Sequence, residues 1–346
     1  MNKIRYLLLP LSFLYGCILW LRNILYNKGI INSVSPKIKT ISIGNISLGG
    51  TGKTPHIEYV LNLLADKKIA VLSRGYGRNT QGIFVVKKES HANETGDEPL
   101  QIARKFPNVN VVVDGNRLRG IEYIEKNFPQ TEIILLDDAL QHRKLKAGLN
   151  ILLTTYGQPF TSDFYLPAGN LRDHKIRAFD ADVIVVTKCP DNPIDAETEK
   201  LRTKLLRYSK NVVFDKIKYK NIKPLQTDTT SRIENYKKVI AITGIAKPAF
   251  LVEKVSTHFE VVKHFEFRDH YQFKASDVER FRNFIGSFAA GEIAAITTEK
   301  DAMRLKDLVK NSNQSDFPLF YWEIGIELEA EKSIFDNIIL KYANWT

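Results

Sequence analysis

Cysteine is nearly absent from this chain. Cys17 and Cys189 are the only two in 346 residues and lie far apart, so no disulfide framework is expected and a reducing compartment suits the protein. Acidic residues are also in short supply: 39 Asp and Glu stand against 50 Lys and Arg, a formal net charge of +11. That excess raises the question of a nucleic-acid partner. The basic residues, however, are spread along the chain, without a dense basic block, an RNA-binding signature or zinc-knuckle spacing, so no nucleic acid is expected. Anionic lipid headgroups and phosphorylated substrates account for the charge equally well. Internal repeats and low-complexity tracts are missing, and no obligate protein partner is evident. What remains, at 44% hydrophobic and 26% charged, is an ordinary globular composition with room for two cores.

Near the N-terminus, by contrast, charge disappears. Leu7 to Leu21 is an uncharged run bounded by Lys3 and Arg5 on one side and Arg22 on the other. As a helix it extends about 22 Å, short of the roughly 30 Å hydrocarbon core of a bilayer. Extension to Tyr26, with Arg22 snorkelling, would just reach across. Tyr6, Tyr15, Trp20 and Tyr26 are the aromatic anchors expected at a membrane interface. No small-residue cleavage site follows the run, which argues against a signal peptide. A membrane anchor is expected over residues 1–28, either short and spanning or lying in the interface.

The most specific stretch follows. Ile38–Ile43 alternates like a strand, Gly44–Pro55 is glycine-rich and ends in Gly-Lys-Thr-Pro, and Ile57–Leu64 reads as a helix. Strand, glycine loop and helix make a phosphate-binding loop: Gly49, Gly50, Thr51 and Gly52 turn backbone N–H groups toward phosphate oxygens at a helix N-terminus. Lys53 would reach the β- and γ-phosphates, and the Thr54 hydroxyl would ligate Mg²⁺. Leu135-Leu136-Asp137-Asp138 is an apolar strand ending in carboxylates, the Walker B arrangement that holds the metal through Asp137 and Asp138. ATP and Mg²⁺ are the expected donor and cofactor.

Strand and helix patterns alternate along the whole chain, which predicts an α/β fold: a P-loop NTPase-type parallel sheet with helices on both faces, plus a second α/β domain. The first strands are Ile38–Ile43, Ile69–Ser73, Val109–Asp114, Ile133–Asp137 and Leu149–Thr154. A second series comprises Val183–Thr187, Val239–Thr243, Phe259–Phe265 and Ile293–Thr297, after a connection at Thr155–Arg177. The expected division is therefore a nucleotide-binding domain at 29–155 and a second domain at 156–316. A closing strand and helix at 317–346 have no domain assigned by pattern.

Other motifs sit where ligands gather, at the carboxyl ends of strands. Ser73–Arg78 carries Arg74 and Arg78, which can clamp an anion. Gly96-Asp97-Glu98-Pro99 opens a helix, where acids favour the dipole. In Phe267–Tyr271, His270 stands beside Asp269, a pairing compatible with a general base and equally with a surface pair. Thr187-Lys188-Cys189-Pro190-Asp191 has the look of a GTPase base-reading loop with its acid displaced by one position, and carries no assignment here.

The ordered set Gly44–Pro55, Ser73–Arg78, Gly96–Pro99, Asp137–Arg143, Leu166–Arg172, Thr243–Pro248, Asp269-His270 and Thr298–Asp301 resembles the tetraacyldisaccharide 4′-kinase (lipid A 4′-kinase) family over nearly the whole chain. The resemblance implies a kinase that moves the γ-phosphate of ATP to the 4′-hydroxyl of a tetraacylated glucosamine disaccharide 1-phosphate. It implies two α/β domains with the site in their cleft, on the cytoplasmic face of the inner membrane beside anionic lipids. It assigns Asp97 as the catalytic acid-base residue, oriented by His270, alongside Lys53, and places Arg74, Arg78, Gln141, His142 and Arg172 near the lipid-linked disaccharide. Departures are mild: Ala139-Leu140 follows the paired aspartates, and Asn170 stands where Arg is common. The alternative from another class is a membrane-associated regulatory ATPase of the septum-positioning or arsenical-pump type. Against it, Leu48 occupies the position where those proteins carry a lysine, and the apolar segment is N-terminal.

Overall fold

Apolar runs with no polar alternation need cover on both faces, and the first two-thirds of the chain meets that need with one eight-stranded sheet. The protein is described by a computed structural model over residues 3–226, 232–310, 317–328 and 331–345. The strands are β1 (Lys39–Gly44), β2 (Ile69–Ser73), β3 (Phe84–Val86), β4 (Asn110–Val113), β5 (Ile133–Asp137), β6 (Leu149–Thr155), β7 (Val183–Thr187) and β8 (Val212–Phe214). They lie in the order β3-β4-β2-β5-β1-β6-β7-β8, parallel throughout except for β3. The helices of this part are α1 (Leu9–Asn27), α2 (Lys53–Leu63), α3 (Ala92–Thr95), α4 (Asp97–Lys105), α5 (Arg117–Asn127) and α6 (Asp195–Leu205). Successive strand residues point to opposite faces. Ile41, Ile43, Val71 and Leu135 therefore pack with α2 and α4, while Leu72, Ile134 and Leu136 pack with Ile121 and Ile124 of α5. On that second side α5 comes so near that a Cβ on Gly120 would stand 2.6 Å from Leu72 Cδ1.

The remainder forms a five-stranded sheet of β9 (Lys216–Pro224), β10 (Lys238–Thr243), β11 (Glu260–Glu266), β12 (Ile293–Thr298) and β13 (Leu319–Glu327), with α7 (Ala249–Ser256), α8 (Ala275–Ile285), α9 (Glu299–Lys310) and α10 (Lys332–Asn344). Its order is β11-β10-β12-β13-β9, with β9 antiparallel to β13 and the other pairs parallel. The fold class expected from sequence is the one observed.

Sheet membership departs from the expected division at residue 155. Val183–Thr187, placed in the second series, hydrogen-bonds to β6 as β7 of the first sheet. The stretch Thr155–Arg177 is no inter-domain connection either; it folds back so that Leu171 bridges Ser47 of the glycine loop. The sheets instead change over at one residue, Asp215, between β8 and β9. Buried parallel strands are uniformly apolar, so nothing in their own pattern names the neighbour they will join. The C-terminal segment divides: β13 belongs to the second sheet, whereas α10 returns to the first. There Tyr59 donates to Asp336 at 2.6 Å and Lys39 Nζ to the Ala343 carbonyl at 2.8 Å. A single apolar cluster runs from Ile57 and Val60 of α2 through Phe335 and Ile339 of α10 to Ile240 and Ile242 of β10. Burying each of the larger side chains contributes about 2 kcal/mol.

Helix α1 is amphipathic in the inverse sense. Ser12, Gly16, Leu19 and Asn23, spaced by three or four, are its buried face, whereas Phe13 (75% exposed), Leu14 (58%) and Ile18 (58%) face outward. The buried face docks on the 163–173 loop. Ser12 Oγ accepts from the Ala168 amide at 2.8 Å, Asn23 donates to Asp173 at 3.2 Å, and a Cβ on Gly16 would collide with the Tyr165 ring at 2.7 Å. Just ahead of the helix, Arg5 donates to the Gly169 carbonyl at 2.8 Å.

Candidate active site

Strand β5 is inserted beside β1 in register, with Asp137 opposite Ile43, so the carboxylate at the end of one strand meets the glycine loop at the end of the other. The loop ends in Gly52, left-handed at φ 89°, from which Lys53 starts α2. Asn45 Nδ2 holds the Thr51 hydroxyl at 2.7 Å, and Thr54 is buried in the first helical turn. Amides without intrahelical acceptors at that terminus make an anion seat.

Around the seat stand charges of both signs. Lys53 Nζ lies 3.9 Å from Asp138 Oδ1. Asp138 adopts a left-handed backbone (φ 53°), its amide donating to the Ile43 carbonyl at 2.9 Å, and Arg172 grips its carboxylate with both guanidinium nitrogens. Burial works to raise the Asp138 carboxyl, but Lys53 and Arg172 outweigh it and hold the group below its usual range. Asp137 differs. The Ser73 hydroxyl donates to its Oδ2 at 2.7 Å, while Oδ1 is buried without a partner among the described residues. Burial, reinforced by the Glu98 carboxylate against the pull of Lys53, pushes Asp137 up to about 6. A buried carboxylate short of positive charge, with one free oxygen, suits a divalent cation. Thr54, Asp137 and Asp138 thus fit a Mg²⁺ ion, although no wider cluster of three ligating carboxylates, histidines or cysteines exists among the described residues.

A second set of groups joins the two units. His270 Nδ1 lies 3.2 Å from Asp97 Oδ2, and Asp97 is buried at the start of α4. His270 is also left-handed (φ 56°), its amide bonded to the Gly244 carbonyl at 3.0 Å, with the Tyr76 ring 5.0 Å away. Arg304 of α9 secures this corner. It donates to the carbonyls of Gly244 (3.0 Å) and Tyr271 (2.9 Å), pairs with Asp301, and brings Nε to 3.5 Å from Asp97 Oδ2. Glu98 pairs with Lys300, and although burial opposes ionisation, Lys300 and Lys53 hold its carboxyl down at about 2. Left-handed backbone at a non-glycine residue occurs, among the described residues, at Asp138, Lys188 and His270.

Of the residues expected at the site, Lys53 stands beside Asp138 and His270 beside Asp97, and Glu98 is within electrostatic reach of Lys53, His270 and Asp137. The expected lipid-side residues are less uniform. Arg74 is exposed and lines an open cavity of about 470 Å³ with Tyr76, Asp114 and Arg119. Arg78 lines it too, yet its guanidinium is occupied by the carbonyls of Gly82 (2.6 Å) and Val113 (3.4 Å). Gln141 donates to the Asn45 carbonyl, and Arg172 is engaged with Asp138 and Asn45. His142 is pulled down to about 4, by burial first and then by Arg117 and Arg74, and is neutral at pH 7. Sequence reading assigned no role to Lys300, Arg304 or Arg117, whose buried guanidinium holds the Asp137 carbonyl at 2.9 Å. Only the adjacency of Glu98 to Asp97, and of Lys300 to Asp301, signalled any of them.

With that geometry in view, comparison with known proteins is unambiguous. Residues 4–344 match the family model described as LpxK: Tetraacyldisaccharide-1-P 4'-kinase. The tetraacyldisaccharide 4'-kinase of Flavobacterium johnsoniae is 40% identical, over 99% of this chain and 98% of that protein. The protein of the same name from Bacteroides fragilis is 39% identical, over 97% and 91%. Among solved structures, the crystal structure titled as an "apo" form of LpxK from Aquifex aeolicus in complex with ATP superposes with a TM-score of 0.74 at 27% identity, covering 98% of this chain and 99% of that one.

Proposed function

Because the chain belongs to the tetraacyldisaccharide-1-P 4'-kinase family, we propose a division of labour among its own residues for that reaction. The activity is transfer of the γ-phosphate of ATP to the 4′-hydroxyl of a tetraacylated glucosamine disaccharide 1-phosphate in lipid A biosynthesis. Family membership sets aside the regulatory-ATPase alternative.

The donor binds at the glycine loop, Gly49 to Thr54, with Lys53 on the transferred phosphate. Thr54, Asp137 and Asp138 would hold Mg²⁺, which would neutralise charge on the phosphate oxygens. Asp97 receives the proton of the attacking hydroxyl as the new P–O bond forms and the bridging oxygen leaves with ADP. His270 orients Asp97, and Arg304 fixes the loop that carries His270. The observation that supports this reading is the 3.2 Å pair between Asp97, at the start of α4 in the unit that carries the phosphate loop, and His270 of the other unit. Arg74 and His142 border the acceptor; Arg172 acts chiefly through Asp138. The two working units are best divided at Asp215, with α10 tying them together.

The N-terminal apolar helix is a candidate membrane anchor. Its docking contacts extend from Arg5 to Asn23, so a bilayer crossing would drag the attached loop into hydrocarbon. An interfacial position, apolar face down on the cytoplasmic leaflet where ATP is available, fits both observations.

The test incubates γ-labelled ATP with disaccharide 1-phosphate lipid in detergent. Label is expected in the lipid, and not with Lys53→Ala; label in free phosphate alone would remove the kinase assignment.

A further inference from the structure

A second lysine addresses the glycine loop. Lys188 follows β7 in a left-handed conformation (φ 59°), and its Nζ lies 4.0 Å from where a Cβ on Gly50 would stand. The same ammonium sits 5.2 Å from the centre of the Phe250 ring of α7, in the second unit. It has no carboxylate within salt-bridge distance among the described residues. Burial, together with repulsion from Lys247 and Lys300, pulls it down to about 8. A half-buried ammonium with no carboxylate of its own, repelled by two neighbouring lysines, is stabilised when an anion joins it.

The backbone strain at Lys188 is sustained by a buried pair. Asp215 Oδ1 accepts the Lys188 amide at 3.2 Å, and the Asp215 carbonyl accepts the Cys189 amide at 2.9 Å. Asp215 Oδ2 in turn lies 2.6 Å from His56 Nε2, both side chains being essentially inaccessible. His56 Nδ1 is 2.8 Å from the Gly52 carbonyl, which can only accept, so that nitrogen carries a proton. His56 thereby joins the glycine loop to Asp215, the residue at which the chain passes between sheets.

We propose that Lys188 is a nucleotide-contacting residue, engaging the phosphate-bearing side of the donor over Gly50, and that His56 and Asp215 are the positioning residues that aim it. The ligand class is a nucleoside triphosphate, so this rests on the donor site proposed above. Binding of the donor then draws Lys188 of the first unit and Lys247 of the second toward one anion.

The experiment measures binding of a fluorescent ATP analogue to the full chain in detergent, together with kcat and both KM values. Lys188→Asn is suitable because asparagine tolerates the left-handed backbone. It should raise the KM for ATP by about tenfold or more, with the lipid KM within about twofold, as expected for loss of one charge-assisted contact. Lys188→Arg should recover most of the loss. His56→Asn and Asp215→Asn should also raise the KM for ATP more than they lower kcat. Unchanged ATP binding in Lys188→Asn, with wild type binding normally, would overturn the proposal, as would equal loss in Lys188→Arg. If His56→Asn and Asp215→Asn lower only the melting temperature, the positioning role falls. Failure of wild type to bind the analogue would strike at the donor site itself.

Discussion

At the scale of single residues, the cleft separates two carboxylates by environment. Asp97 is backed by His270 and Arg304, and the proposed role is to hold a proton at the moment of transfer. Asp97→Asn should lower kcat by about a hundredfold or more while nucleotide affinity stays near that of wild type, read by steady-state kinetics and analogue binding. An equal loss of binding would make it a metal or structural residue. Asp137 instead is destabilised in its ionised form, its carboxyl pushed up to about 6 from the usual aspartate range by burial and the Glu98 charge. The folded protein therefore binds this proton more tightly than the unfolded chain. The contribution is full below about pH 4 and disappears as pH rises through about 6. Removing the charge should relieve the nucleotide-free protein: Asp137→Asn should melt higher than wild type at pH 7.5, by at most about 3 kcal/mol, with the gap closing toward pH 4. A gap independent of pH would contradict this. The same substitution should abolish transfer, since it removes a charge on which the cation depends.

Among elements, α1 carries the clearest instruction. Its outward apolar residues make no packing contribution, whereas its small and polar residues do the docking. Replacing Leu11, Phe13 and Leu14 by serine should therefore leave the melting temperature within a few degrees of wild type while abolishing flotation with anionic liposomes. Loss of folding in place of loss of flotation would mark α1 as an ordinary core helix. The sequence announced this element by its missing charges, but the inverse amphipathicity was hidden. Leu, Phe and Ile fill the outward face, and only the partner loop at 163–173 identifies which side is inner. Strands were legible for a similar reason: Ile133–Asp137 and Val239–Thr243 are apolar enough to declare themselves. Strand β9, with a lysine at every second position for much of its length, was not expected; its lysines face solvent or Glu323 and Glu327 of β13. Within the site, the glycine loop and paired aspartates are contiguous motifs and so could be read directly. The Glu98–Lys300 pair spans 202 positions, and no local pattern encodes a contact at that separation.

For the whole molecule, the two sheets are joined by one residue at Asp215, by α10 returning to α2, and by a shared apolar cluster. Unfolding one sheet would expose Phe335, Ile339 and their neighbours on the other. Calorimetry of the nucleotide-free protein should accordingly give one cooperative transition, not two. Two resolved transitions would show that the shared cluster is too weak to couple them. The division expected at residue 155 erred for a reason visible at this scale. Two Rossmann-like halves in succession look identical in pattern to one wide sheet followed by a smaller one, and only strand pairing tells them apart.

The outward apolar face of α1 also changes the meaning of substrate concentration. On the interfacial placement proposed above, the enzyme searches in two dimensions, and the quantity that sets its rate is the mole fraction of acceptor in that surface. Inert lipid or detergent added at constant total acceptor should slow the attached enzyme by dilution within the plane, although nothing in the aqueous phase has changed.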